Sequence, residues 1–262
     1  MAYPPIERTG RTVVEFFAGI GLMRMGLERA GWSVVLANDI DPAKEEMYAH
    51  QFPDATLHFK LGDIHDLDPQ EIPTVSLATA SFPCTDLSLA GAREGLDGKN
   101  SSAFWGFINI IRGMRERRPP LILLENVTGF LSSNDGDDFE KAMLALNGLG
   151  YTVDPFIVDA AHFVPQSRKR LFVVAIDKSL AGPTMVSERF FQSALRPPAL
   201  AAFVFEHPEI DWALRELPNL PVCRASLEMV LDELPNNSPE WYARERVIPF
   251  GIKRSSKGGG VG

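Results

Sequence analysis

Cysteine is scarce in this sequence, and long apolar runs are absent. The 262 residues include only two cysteines, Cys84 and Cys223, which lie far apart and belong to no CxxC pair. This spacing suggests neither a disulfide framework nor a zinc site, and we predict no metal. No apolar run approaches the length that spans a bilayer, and residues 1–8 lack the basic and apolar regions of a signal peptide. We therefore predict that the protein is located in the reducing environment of the cytoplasm and has no membrane partner.

The sequence also lacks an excess of positive charge and any internal repeat. Its formal net charge of -8 argues against wrapping of nucleic acid by the whole surface, but leaves room for a local basic face. With 45% hydrophobic residues, the chain can bury one large domain, or one domain with a smaller appendage. Strand and helix patterns are clear up to about Asp177 and weaken beyond it. We predict a first domain over residues 1–178, followed by an incomplete or poorly ordered region over 179–262.

The first clear pattern is a strand, a glycine turn and a helix. A compact apolar run over residues 11–17 leads into Ala18-Gly19-Ile20-Gly21, and a helical pattern follows up to Gly31. Glycines at such a turn allow the backbone to approach a ligand closely, and the helix start offers unpaired N–H groups. Arg24 occupies the place of the third glycine of the dinucleotide fingerprint, which weighs against a bound pyrophosphate.

Acidic residues follow the next strands of the pattern. Asp39 closes a second strand about twenty residues after the glycine turn, which is the spacing at which a carboxylate meets ribose hydroxyls. A solvated loop acid is the competing interpretation of Asp39, and at this point the choice between them is even. Asp63 ends a third short strand. Acids at adjacent strand ends predict a site for an adenosine moiety.

Cys84 lies on a turn that leaves a predicted buried strand over residues 74–80. Pro83 fixes its own φ and restricts the residue before it, so the backbone ahead of the thiol has little freedom. Open α/β sheets place their ligands at this edge. A lone cysteine after a strand is more often a small buried hydrophobe, so the prediction of a reactive thiol depends on its neighbours.

Further polar residues follow later strands. Glu125 comes directly after a buried run of aliphatic residues, where it indicates a carboxylate that faces a cleft and transfers protons. The competing interpretation is a structural carboxylate that is hydrogen-bonded to the backbone. Arg168 and Arg170 precede another apolar strand, and strand alternation predicts that both face the same side as a pair of fixed donors.

These blocks resemble, in order, the motifs of the DNA (cytosine-5) methyltransferases. The matching segments are Phe17-Ala18-Gly19-Ile20-Gly21, Phe82-Pro83-Cys84 with Ser88, Glu125-Asn126-Val127 and Gln166-Ser167-Arg168-Lys169-Arg170. The resemblance implies a Rossmann-like α/β fold that binds S-adenosylmethionine, with a mostly parallel, doubly wound sheet and an antiparallel strand. The first domain would then be the catalytic one. The implied reaction is transfer of a methyl group from S-adenosylmethionine to C5 of a cytosine flipped out of DNA.

The resemblance also assigns roles to individual residues. It implies covalent attack on the base by Cys84, assisted by Glu125, Arg168 and Arg170. Direct contacts with the base or its surroundings are implied for Ser88, Asn126 and Gln166. The implied cofactor contacts are Phe17, Ala18, Gly19, Gly21, Asp39, Ile40, Asp63, Ile64 and Pro83.

The end of the sequence departs from the family. We find neither a target-recognition region of the usual span nor the closing motifs, and the sequence ends in a glycine-rich stretch. The expectation is a methyltransferase of a bacterial restriction-modification system that is truncated, frameshifted or one part of a split enzyme, weak or inactive without a complementary C-terminal fragment or subunit. The alternatives are an RNA cytosine methyltransferase and a non-catalytic remnant or partner subunit.

Overall fold

A mixed sheet organises the computed structural model, which describes residues 10–83, 102–181, 186–191 and 193–231. Within these residues the sheet has seven strands, in the order β3-β2-β1-β4-β5-β7-β6. The strands are β1 (Thr12–Phe16), β2 (Ser33–Asp39), β3 (Phe59–Leu61), β4 (Leu77–Ala80), β5 (Leu121–Val127), β6 (Tyr151–Asp159) and β7 (Lys169–Asp177).

The strand order creates a topological switch between β1 and β4. From β1 the chain moves outward through β2 and β3, and it then returns to place β4 on the other side of β1. The pairs among β1 to β5 are parallel, whereas β7 is antiparallel to both β5 and β6. The mostly parallel sheet with an antiparallel strand is therefore confirmed. In such sheets a crevice opens at the switch, outside the carboxyl ends of the strands.

Helices cover both faces of the sheet. They are α1 (Leu22–Arg29), α2 (Pro42–Gln51), α3 (Ser102–Gly113), α4 (Asp137–Gly148), α5 (Lys178–Ala181) and α6 (Pro198–Glu206). Side chains alternate between the faces along each strand. Accordingly, Val14 and Phe16 pack in a core cluster with α3 and α4, whereas Val13 packs in a second cluster with Tyr48 of α2. This arrangement confirms the doubly wound α/β class.

The chain beyond residue 178 contributes to the larger core cluster. Leu200 and Phe203 of α6, together with Trp212, are buried in that cluster. Trp212 also forms an isolated bridge with Val153 of β6. The predicted boundary between residues 178 and 179 stays a prediction. Described residues after it, such as Leu200, Phe203 and Trp212, share the core of the sheet, whereas Val222 and Met229 are exposed. Among the residues that the structure describes, no helix is both long and apolar enough to cross a membrane.

Candidate active site

The glycine turn after β1 has a backbone that requires small residues. Gly21 has φ of +85°, and a Cβ placed there would lie only 2.3 Å from Cε2 of the Phe52 ring. Gly19 has φ of +57° with open space where a Cβ would lie. Phe17, just before them, also adopts a positive φ of 57°. The turn therefore approaches α2 closely at Gly21 while Gly19 faces open space, as a ligand-binding turn requires.

Asp39 fastens the glycine turn to the end of β2. Its Oδ2 atom accepts a hydrogen bond of 2.8 Å from the N–H of Gly19, and Oδ1 accepts one of 3.0 Å from the N–H of Asp41. The side chain is buried, and Nζ of Lys44 lies 3.6 Å from Oδ1. Asp39 is thus a buried, hydrogen-bonded carboxylate at the predicted edge, and the solvated-loop interpretation does not hold.

The carboxyl end of β3 supplies a further acid beside exposed apolar surface. Oδ1 of Asp63 accepts a hydrogen bond of 2.9 Å from the N–H of His65, so this carboxylate caps a short 3-10 turn. Ile40 is 62% exposed next to Asp39, whereas Ile64 is buried in the larger core cluster. Ile40 therefore presents an exposed apolar side chain next to the carboxylate of Asp39. The Ile64 side chain packs beneath α3 instead, which leaves its backbone as the part able to reach a ligand.

Sequence reasoning missed the contacts that the buried side chain of Arg24 makes beneath the glycine turn. Arg24 donates to both carboxylate oxygens of Asp54, at 2.9 and 2.8 Å, and its guanidinium lies 4.1 Å from the centre of the Phe52 ring. The backbone N–H of Arg24 donates to Oε1 of Glu15 at 3.2 Å. Burial raises the pKa of Glu15 to about 8. The only signal in the sequence was a glutamate inside the apolar run of β1.

The segment that leads to the proposed nucleophile is anchored by aromatic packing. Cys84 and Ser88 lie outside the described residues. Phe82 is buried, with its ring centre 5.3 Å from that of Phe104 and 5.6 Å from that of Phe130. Pro83, which follows, is exposed. The chain therefore emerges from the core immediately before Cys84, at the carboxyl edge of β4.

Glu125 and Arg170 form an ion pair across two neighbouring strands. Glu125 lies in β5 and Arg170 in β7, where Arg170 is paired with Val127 in the antiparallel register. Nε of Arg170 is 3.0 Å from Oε1 of Glu125, and the side chains are 19% and 23% exposed. The pair lies at the edge of the sheet where β4 ends and the chain continues toward Cys84. The structure thus brings together an acid and a guanidinium that the sequence placed 45 positions apart.

Asn126 occupies the opposite face of β5 from Glu125. Its side chain is buried, its Oδ1 accepts a hydrogen bond of 2.8 Å from the N–H of Val127, and Nδ2 lies 3.5 Å from the carbonyl oxygen of Phe82. The substrate contact that the resemblance implied for Asn126 stays a prediction. The placement favours a supporting role, since the amide reaches the segment just before Cys84.

Arg168 precedes β7 instead of lying within it. The strand begins at Lys169, so the alternation that predicted a common face for Arg168 and Arg170 does not apply. The N–H of Arg168 donates to Oδ1 of Asp159 at 2.8 Å. Arg168 and Gln166 are both exposed on the loop between β6 and β7. The expected pair of equivalent donors is therefore one strand residue, Arg170, and one loop residue, Arg168.

Comparison with known proteins agrees with this geometry. The family model described as C-5 cytosine-specific DNA methylase matches residues 11–232. The Type II methyltransferase M.MspI of Moraxella sp is 33% identical over 163 residues, which are 62% of this chain and 38% of that protein. The Type II methyltransferase M.HhaI of Haemophilus parahaemolyticus is 29% identical over 175 residues, covering 66% of this chain and 51% of the relative.

A solved structure shows the same architecture. The crystal structure of the S. pombe Dnmt2 methyltransferase superposes with a TM-score of 0.53 at 28% sequence identity, covering 70% of this chain and 55% of that one. Of the two curated relatives above, the chain spans 38% of the length of M.MspI and 51% of the length of M.HhaI.

Proposed function

This chain belongs to the C-5 cytosine-specific DNA methylase family, and we propose that it carries the catalytic centre for methylation of cytosine C5 in DNA. The observation that supports this most directly is the pair of Glu125 and Arg170, 3.0 Å apart at the edge where β4 leads to Cys84. A cytosine offers a ring nitrogen and a carbonyl oxygen on one edge, which an acid and a guanidinium can bind together. The thiol would then face the ring's C6.

The proposed mechanism is covalent catalysis by Cys84. Its thiolate would form a bond to C6 while Glu125 protonates N3, so that electron density moves to C5. C5 would then take the methyl group that S-adenosylmethionine supplies, and the donor sulfonium would be left as a neutral thioether. Loss of the C5 proton to water would let the bond between sulfur and C6 break, which returns the thiolate, and N3 would give its proton back to Glu125. Arg170 would hold the O2 edge and orient Glu125. The base must leave the duplex stack to reach these groups.

The residues of the glycine turn and of the adjoining strand ends fit S-adenosylmethionine. This cofactor supplies an electrophilic methyl group when it is bound. The Phe17–Gly21 turn would hold its amino-acid part, Asp39 its ribose, and Asp63 its adenine amino group, with Ile40 against the adenine ring. Ala18, Pro83 and the backbone of Ile64 complete the proposed set.

The remaining predicted residues take narrower roles in the proposal. Arg168 and Gln166 would contact the DNA around the flipped base from the exposed loop between β6 and β7. Ser88 stays a proposed contact with the substrate. Asn126 would hold the chain ahead of Cys84 through the carbonyl of Phe82. A reducing cytoplasm, which the unpaired cysteines of the sequence favour, would keep Cys84 as a free thiol.

The named relatives suggest the biological setting. Both curated relatives are Type II methyltransferases, and we propose that this chain acts on DNA within a bacterial restriction-modification system. The matched region is 38% of the length of one of those relatives and 51% of the other. We propose that the chain acts with a complementary fragment or subunit and that the single chain turns over weakly.

Trapping of the covalent adduct tests this function. The full chain is incubated with S-adenosylmethionine and a DNA duplex carrying 5-fluorocytosine, which blocks release after attack, and adducts are read by denaturing electrophoresis. We expect an adduct with the wild type and with the control Cys223→Ser, and none with Cys84→Ser. An RNA substrate is run in parallel. Adducts with RNA alone, equal trapping by Cys84→Ser, or no adduct in any arm would contradict the proposal.

A further inference from the structure

The loop between β6 and β7 is closed by one carboxylate. Asp159 is the last residue of β6, and its Oδ1 accepts hydrogen bonds from the N–H groups of Ala161 at 3.0 Å and Arg168 at 2.8 Å. Its Oδ2 accepts from the hydroxyl of Ser167 at 2.9 Å. These contacts join the start of the loop to its end. The N–H donation from Ala161, the largest contribution, helps to hold the pKa of Asp159 below its ordinary value.

The closure continues the hairpin beyond its last paired residues. Asp159 and Lys169 are the final partners in the register of β6 and β7. Beyond them, the N–H of Ala160 donates to the carbonyl oxygen of Arg168 at 3.2 Å. The carboxylate of Asp159 accepts a hydrogen bond from the N–H of Arg168. Both backbone polar groups of Arg168 are therefore fixed, although Arg168 lies outside the strand. Its exposed side chain starts from a defined backbone.

The closed loop stands beside the candidate active site. Because β5 and β6 are both antiparallel to β7, the carboxyl ends of β5 and β6 share one edge of the sheet. Arg170, only two positions after Arg168, pairs with Val158 on one side and Val127 on the other, and its Nε contacts Glu125. The loop that Asp159 closes therefore joins directly onto the strand residue that meets Glu125.

We propose that Asp159 is a positioning residue that holds the loop over residues 160–168 so that Arg168 faces the DNA beside the Glu125 and Arg170 pair. This inference rests on the proposed function. Asp159 touches no reacting atom, and it acts by setting the backbone from which Arg168 projects. Misplacement of such a group by about 1 Å can cost as much as a hundredfold in rate.

The chemistry of the contacts identifies an informative set of variants. In Asp159→Asn the amide oxygen still accepts from both N–H groups, and the amide nitrogen can donate to Ser167, so the closure survives. In Asp159→Ala the three side-chain hydrogen bonds are lost, and only the backbone contacts remain. Asp177 offers a matched control, because it accepts from the N–H and hydroxyl of Ser179 at 2.9 and 2.6 Å at the end of β7, on the opposite edge of the sheet.

The experiment measures the first-order rate of adduct formation with the 5-fluorocytosine duplex. We expect Asp159→Ala to be slower by about tenfold or more, Asp159→Asn to recover most of the rate, and Asp177→Ala to match the wild type. If Asp159 acts through Arg168, adding Asp159→Ala to Arg168→Ala slows the reaction no further. Wild-type rates for Asp159→Ala, or additive losses with Arg168→Ala, would overturn the inference while the proposed function stands.

Amide hydrogen exchange tests the closure without any turnover. Exchange of the Ala161 and Arg168 amides is expected to speed up in Asp159→Ala and to stay near the wild-type rate in Asp159→Asn. Unchanged exchange in Asp159→Ala would overturn the closure itself. A wild-type chain that forms no adduct would overturn the proposed function and the positioning role with it, and that result differs from every outcome in which only the variants change.

Discussion

The Nε atom of Arg170 lies 3.0 Å from Oε1 of Glu125, and this contact spans two antiparallel strands. Both side chains keep about a fifth of their surface exposed, at 19% and 23%. The pair is therefore accessible to a ligand at the edge of the sheet. About four-fifths of each side chain is buried, so each charge depends on its partner, and removal of one of them should lower the stability.

Glu125→Gln separates the chemistry from the fold. The amide keeps the shape of the side chain but cannot deliver a proton to N3, so we expect adduct formation to slow by about 10²- to 10⁴-fold. The unfolding free energy should fall by no more than about 3 kcal/mol, because the amide oxygen can still accept a hydrogen bond from Nε of Arg170. Adduct trapping and urea unfolding measure the two effects. An adduct rate within about threefold of the wild type would remove Glu125 from the mechanism.

The sequence predicted the strands and the order of the site motifs because both depend on local patterns. Short apolar runs with glycine or proline at their ends indicated β1, β4 and β5. The motif that belongs to each of these three strands lies at its carboxyl end, whereas residues 166–170 lie at the amino end of β7. The opposite faces of Glu125 and Asn126 follow from simple alternation, but only once both residues are placed inside β5. Treating the motif as a turn after the strand concealed that difference.

Other features depend on contacts between distant segments. Arg24 was interpreted only as a missing glycine, because its partners Asp54 and His58 lie 30 and 34 positions further along the chain. Likewise, the closure of the loop before Arg168 depends on where the pairing of β6 with β7 ends, which is at Asp159 and Lys169. The apolar periodicity of the sequence does not indicate where that pairing ends. The partners of Arg24 and the closure by Asp159 therefore became apparent only from the three-dimensional structure.

Glu15 should make the stability depend on pH. Burial raises its pKa to about 8 from an ordinary value of 4.5, so the folded state binds the proton more tightly than the unfolded state does. This contribution is fully present below pH 4.5 and is lost as the pH rises toward 8, at a rate of up to about 1.4 kcal/mol per pH unit. In Glu15→Gln the loss is absent.

The measurement compares urea unfolding of the wild type and of Glu15→Gln at several pH values between 4.5 and 8. The difference in unfolding free energy between the two proteins should shift in favour of the variant as the pH rises. Gln suits the comparison because its Oε1 can still accept from the N–H of Arg24. If plots of unfolding free energy against pH stay parallel for the two proteins, Glu15 does not have the raised pKa.

Gly21→Ala tests the close approach of the glycine turn to α2. The new methyl group would meet the Phe52 ring at 2.3 Å in a backbone with φ of +85°, so we expect a loss of about 1–3 kcal/mol. Displacement of the ring should also weaken S-adenosylmethionine binding, which calorimetry measures. Gly26→Ala is the matched control, because nothing lies within 4 Å of its added carbon and alanine favours a helix by about 0.5–1 kcal/mol. Equal stabilities of the two variants would refute the steric argument.

Arg196 should be the strongest attachment of the segment after residue 186 to the sheet. Its guanidinium donates to Oδ1 of Asp154 at 2.6 Å, with the side chains only 1% and 5% exposed. Arg196→Met leaves Asp154 as a buried charge without its ionic partner, which should cost about 3–5 kcal/mol. Lys178→Met is the control, because it breaks an ion pair with Asp211 whose side chains are 44% and 53% exposed, at a cost below about 1 kcal/mol.

Adding Asp154→Leu to Arg196→Met distinguishes a lost attraction from a stranded charge. If the cost comes mainly from the carboxylate left in an apolar environment, replacing that carboxylate should return part of the lost stability, because a matched apolar pair avoids both desolvation penalties. Thermal and urea unfolding of the single and double variants measure the recovery. A double variant that is less stable than Arg196→Met would mean that Asp154 is held mainly by another partner, and the N–H of Arg215, 3.0 Å from its Oδ2, is the group in place to do so.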